Sequence, residues 1–162
     1  MVMIDLITGF LGSGKTTFLK KYAEYLMDQG LHIGILENDF GAINVDMLML
    51  HELRGDQCEL EMIAGGCDAE SHRRRFRTKL ISMRMCGYDR VLVEPSGIYD
   101  VDEFFDVLRE DPLDQWYEIG NVIAILDARL ENNLSQQADY LLASEAANAG
   151  KAVNCLLQLH IA

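Results

Sequence analysis

Proline is nearly absent from this chain: two occur in 162 residues, while hydrophobic residues make up 49%. So few breakers and so much apolar surface exclude a disordered tract. No apolar run approaches the roughly 18 residues of a membrane span. The first residues lack the basic start and small-residue cleavage site of a secretory leader. Four cysteines, Cys58, Cys67, Cys86 and Cys155, show no C-x-x-C spacing. The expectation is a soluble cytoplasmic protein with reduced thiols and no membrane partner. Basic residues are also scarce, 14 Lys and Arg against 26 Asp and Glu, for a formal net charge of -12. That argues against general nucleic-acid binding, which needs a basic face. The length suits one domain with a sizeable core.

What the chain does have is a glycine-rich loop. Gly9 to Thr17 read Gly-Phe-Leu-Gly-Ser-Gly-Lys-Thr-Thr, which is G-x4-G-K-[ST] on Gly9, Gly14, Lys15 and Thr16. Glycines let backbone N–H groups wrap an anion with no side chains in the way. In such a phosphate-binding loop the lysine reaches the β- and γ-phosphates and the threonine hydroxyl ligates Mg²⁺. Candidate nucleotide-binding residues are therefore Gly9, Gly12, Ser13, Gly14, Lys15, Thr16 and Thr17. The context suits the motif. Met3 to Thr8 is short and mostly apolar, as a buried parallel strand is. Phe18, Leu19, Tyr22, Ala23 and Leu26 recur at helical spacing, and Gly30 stands where a helix ends. A helix starting near Thr16 aims its positive dipole end at bound phosphate.

Further strands are predicted at His32–Glu37, Cys58–Ile63, Arg90–Glu94 and Asn121–Asp127. Helices are predicted at about Ala69–Cys86, Val101–Leu108 and Leu130–Asn148. Asn38 to Asp46 reads as a polar, glycine-containing loop. Strands alternating with helices imply an α/β fold, a mostly parallel sheet with helices on both faces. Charge is uneven along it. Arg73, Arg74, Arg75, Arg77, Lys79 and Arg84 crowd one helix, and nine acids lie between Glu94 and Glu118 against one base, Arg109. Solvated faces, or one helix pairing with the other, account for this. A docking surface for an acidic partner, or an arginine reaching a nucleotide in a homo-dimer, stays open.

Several strands end in an acid. Phosphate-loop proteins place one such carboxylate beside the loop threonine to hold Mg²⁺. In an open parallel sheet, ligands sit at the carboxyl ends of the strands. Glu94 is the first choice for this metal. Pro95-Ser96-Gly97 follows it as a turn whose Gly97 N–H can contact the γ-phosphate. Glu37 and Asp39 can join the metal shell or orient the attacking water. Asp127 fits a helix cap better.

Four blocks together resemble the CobW-type P-loop GTPases, relatives of the HypB and UreG metallochaperones. They are Thr8 to Thr17, Glu37-Asn38-Asp39-Phe40-Gly41, Val93-Glu94-Pro95-Ser96-Gly97 and Val122 to Ala128. The likeness runs from about Met3 to Val153. It implies a P-loop NTPase domain that hydrolyses GTP with Mg²⁺, coupled to metal delivery or to cobalamin or metalloenzyme cofactor assembly. Catalysis would then rest on Lys15, Asp39 and Glu94, with the Asp39 loop as a switch ordered by GTP. A client metalloprotein or cofactor-assembly protein is the implied partner.

Two departures from the family pattern matter. The family's C-x-C-C metal motif is here Cys67-Asp68-Ala69-Glu70. A three-thiolate site cannot form from it; a mixed zinc or cobalt site would need Cys67 with Asp68, Glu70 or His72. The family's guanine-reading Asn/Thr-Lys-x-Asp is also missing. After Gly150 to Val153 stands Asn154-Cys155-Leu156-Leu157-Gln158. Against the family pattern, residues 1–162 read as one nucleotide-binding domain without the end of the domain or the family's C-terminal domain. A non-catalytic nucleotide-binding module and an ATP-dependent transferase remain as alternatives.

Overall fold

The structure, a computed structural model, describes residues 1–9, 12–39, 45–64, 69–95, 101–127 and 150–155, with backbone alone at 38–39, 45–47, 64, 69, 127 and 151–155. The elements run β1 (Val2–Gly9), α1 (Lys15–Asp28), β2 (Ile33–Asp39), α2 (Val45–His51), β3 (Cys58–Ala64), α3 (Ala69–Arg84), β4 (Arg90–Glu94), α4 (Val101–Leu108), α5 (Leu113–Trp116), β5 (Tyr117–Asp127) and β6 (Lys151–Cys155). The six strands form one sheet in the order β3-β2-β4-β1-β5-β6, and every strand pair in it is parallel. Parallel neighbours need crossovers, and from β1 through β5 the described helices supply them and pack on the sheet.

Alternation along each strand sorts the core into two layers. Ile7, Ile33, Ile35, Leu92, Ile123 and Ile125 pack on one face with Leu19, Ala23 and Leu26 of α1 and Leu50 of α2. Ile4, Leu6, Leu36, Val91 and Val93 pack on the other, with Phe76, Leu80 and Met83 of α3 and Phe104 and Val107 of α4. Burying each large aliphatic side chain stabilises the fold by roughly 1.5–3 kcal/mol.

One strand departs from regularity. Ile4 of β1 pairs with Ile119, but Leu6 pairs with Val122, so β5 carries one extra residue at Gly120-Asn121. The bulge frees the Asn121 N–H, which donates to Asp5 Oδ1 at 2.6 Å. Asp5 is wholly buried and accepts two more bonds through Oδ2, from Tyr22 Oη at 2.8 Å and Arg90 Nη1 at 2.7 Å. Tyr22 Oη in turn accepts from Asn121 Nδ2 at 3.0 Å. One carboxylate thus ties together α1, β1, β4 and β5. A Cβ on Gly120 would lie 2.2 Å from Asp5 Oδ1, so only glycine fits beside it. Burial, then the hydrogen bond from its hydroxyl to Asp5, raises the Tyr22 pKa. Burial opposes the Arg90 charge, yet the Asp5 hydrogen bond and charge outweigh it and raise its pKa.

β4 and α4 have the expected limits. β5 begins at Tyr117 rather than Asn121, because Tyr117, Glu118 and Ile119 pair with β1 ahead of the bulge. The region read as a loop from Asn38 to Asp46 is shorter. Asn38 and Asp39 continue β2, paired with Ile63 and Ala64, and α2 begins at Val45. The helix expected at Leu130–Asn148 lies outside the described residues. No described helix is long and apolar enough to cross a membrane.

Candidate nucleotide site

The loop between β1 and α1 opens at the carboxyl end of the sheet. Gly9 closes β1 at φ 143°, and a Cβ there would lie 2.3 Å from the Ile125 carbonyl oxygen and 2.9 Å from Ser13 Oγ. Only glycine serves. Gly14 caps α1 with φ 95°, no side chain bonds its first N–H groups, and the first helical bond runs from Phe18 N to Gly14 O at 3.0 Å. The helix start therefore keeps donors for an anion.

Polar groups that ordinarily seek water are buried around this opening: Ser13, Lys15, Thr16, Glu37 and Glu94. Thr16 Oγ1 donates to Glu94 Oε1 at 2.9 Å, so the loop threonine and the β4 acid meet, 78 residues apart in sequence. Glu37 on β2 pairs in register with Glu94 on β4. In a parallel ladder such partners point to the same face, about 4.8 Å apart; here that face carries α1. Two carboxylates buried side by side repel unless a cation stands near them. Their oxygens and the Thr16 hydroxyl are hard donors, the set that suits Mg²⁺. Ser13 Oγ is buried with no hydrogen-bond partner among the described residues, and such an atom calls for a ligand.

The remaining expected residues divide. Gly12 is exposed and Thr17 half-buried. Asp39 is the last residue of β2 and Asp127 the last of β5, both known by backbone alone. Gly97 and Cys67 lie outside the described residues, as do Phe10 and Leu11 of the loop. His72 is buried on α3, its Nδ1 3.1 Å from Glu103 Oε1. Among the described residues no group of three or more His, Cys, Asp and Glu is placed to hold a metal ion. Burial, helped by Glu59, pushes the Cys58 thiol up to about 11, so it is no thiolate at neutral pH. Asp5, which braces the strands below the site, is not among the residues the sequence singles out; its one signal is an acid inside an apolar run.

Comparison with protein families matches residues 3–153 to "CobW/HypB/UreG, nucleotide-binding domain". Zinc chaperone YeiR of Escherichia coli is 31% identical over 157 residues, covering 93% of this chain and 47% of YeiR. Zinc chaperone YjiA of the same organism is 31% identical over 139 residues, covering 78% of this chain and 41% of YjiA. The chain thus spans about half the length of the curated relatives it matches. Among solved structures, the signal recognition particle receptor FtsY from Elizabethkingia anophelis superposes with a TM-score of 0.59 at 16% identity, covering 90% of this chain and 47% of that one. That likeness is one of fold.

Proposed function

Because the chain belongs to the CobW/HypB/UreG family of nucleotide-binding domains, we propose that it binds a nucleoside triphosphate in the Gly9–Thr17 loop and hydrolyses it. The observation that carries this is the 2.9 Å bond from Thr16 to Glu94 at the mouth of the loop, with Glu37 in register alongside. Lys15, at the first position of α1, neutralises phosphate charge. Gly9, Gly12, Ser13, Gly14, Thr16, Thr17 and Gly97 offer backbone N–H groups or hydroxyls to the phosphate oxygens. Thr16 and Glu94, with Glu37, would hold Mg²⁺, which when bound offsets the charge that builds on the β- and γ-phosphate oxygens. Asp39 orients the attacking water. Phosphoryl transfer asks little covalent chemistry of the protein, so positioning and electrostatics carry the rate.

GTP is the nucleotide and metal delivery the purpose, on the strength of the family and of the zinc chaperones it resembles. A client metalloprotein or cofactor-assembly protein is the corresponding partner, and zinc or cobalt at Cys67 the corresponding cargo. Calorimetry with GTP and ATP in Mg²⁺ tests the nucleotide. Lys15→Ala weakens binding by on the order of 100-fold or more, the cost of removing one partner of a desolvated charge pair. Unchanged affinity in that variant overturns the proposal. Phosphate release that matches the Lys15→Ala background, despite intact binding, favours a non-catalytic module.

A further inference from the structure

Helix α3 shows three faces. His72, Phe76, Leu80 and Met83 point into the core. Arg73 and Arg77 reach Glu110 beyond α4, at 2.6 and 3.1 Å. The third face overhangs β3 and forms one wall of a groove of about 430 Å³, lined by Arg74, Arg75, Thr78 and Lys79 against Met62 and Ile63 of β3. Arg74 and Arg75 are exposed, in a chain whose net charge is -12. β3 is also the first strand of the sheet order, so no strand lies beyond it among the described residues.

We propose that this groove docks an extended acidic protein segment, added as a strand along the outer edge of β3 with its carboxylates on α3. β3 itself supplies the template. Its alternate residues Glu59 and Glu61 turn toward the α3 side of the sheet, where Tyr88 Oη, between α3 and β4, donates to Glu59 at 2.5 Å and Lys79 Nζ of α3 donates to Glu61 at 2.7 Å. A strand laid beside β3 presents its own alternate residues to the same side of the sheet, toward the groove wall that carries Arg74 and Arg75. Main-chain bonds to the outer edge of β3 give affinity and the alternating acids give specificity, the logic of strand addition.

Protection of the edge against pairing does not account for these cations. Guard charges sit on the edge strand itself; these sit on the helix, while of the acids of β3 Glu61 is engaged by Lys79 and Glu59 by Tyr88. A nucleic-acid strand would also meet the cations, but it has no peptide N–H and C=O groups to pair with the edge of β3.

Fluorescence anisotropy decides it, with the full chain and a labelled heptapeptide alternating valine and glutamate. The peptide binds saturably and more weakly as salt rises. Replacing its glutamates by lysine abolishes binding, and N-methylation of alternate backbone amides weakens it at least about tenfold. Arg74→Glu with Arg75→Glu weakens it at least about tenfold, as does Thr78→Trp, which fills the groove. Circular dichroism checks both folds; should the double variant not fold, Thr78→Trp alone decides. Wild-type affinity in the folded variants overturns the proposal. So does a single-stranded oligonucleotide that binds as tightly as the peptide, because the face is then a general polyanion site.

Discussion

At Gly9 one hydrogen atom is all the loop has room for. A methyl group there meets the Ile125 carbonyl and Ser13 Oγ, on a backbone at φ 143° that L side chains rarely adopt. Gly9→Ala is expected to destabilise the fold by about 1–3 kcal/mol, read as a lower urea midpoint, and to weaken nucleotide binding in calorimetry. A variant with wild-type values in both would show that the loop yields. The meeting of the loop Thr16 with Glu94 was legible because spacing points to it: a loop of fixed length, then a strand that stops at an acid. Asp5 was not. Its meaning lies in partners 17, 85 and 116 residues away, and no local pattern announces them.

Elements were legible where period and punctuation agreed. β4 ends at Glu94 before Pro95, and α4 covers Val101–Leu108, the limits its apolar spacing sets. α2 was missed because seven residues make too few turns for a periodic signal. The start of β5 was missed because Gly120-Asn121 interrupts the apolar run, and that is where the bulge falls. The pairing of basic α3 with the acidic stretch was anticipated in kind, and Glu110 turned out to be its hub. The Asp5 network tests how α1, β1, β4 and β5 depend on one another. Asp5→Ala leaves Arg90 without its buried anion, at a cost on the order of 3–5 kcal/mol. Gly120→Ala destabilises the wild type by pushing Asp5 off Asn121, but costs less once Asp5 is already alanine. A double-mutant cycle by urea unfolding measures this coupling; additive effects would mean that the two residues act separately.

For the molecule as a whole, the site lies where four elements converge, so a ligand there stabilises the entire fold. Nucleotide with Mg²⁺ at a hundred times its Kd adds about 2.7 kcal/mol. For a domain of this size that raises Tm by about 5–10 °C. Thermal melts with and without GTP are expected to show the rise in the wild type and none in Lys15→Ala. A rise of equal size in both would place the nucleotide elsewhere. The parallel α/β architecture was legible throughout, since strand and helix patterns alternate along the chain. Strand order was not, because β1 takes as neighbours two strands made long after it.

That order has a consequence during synthesis. β1 leaves the ribosome well before its sheet partners, which begin at Arg90 and Tyr117. At 5–20 residues per second, it waits on the order of ten seconds for both. Until then the loop that follows it has no Glu94 to meet Thr16 and no Ile125 to close over Gly9. Assembly of the phosphate-binding loop thus waits for β5, and a product cut short before it would carry the phosphate-binding sequence without the grip.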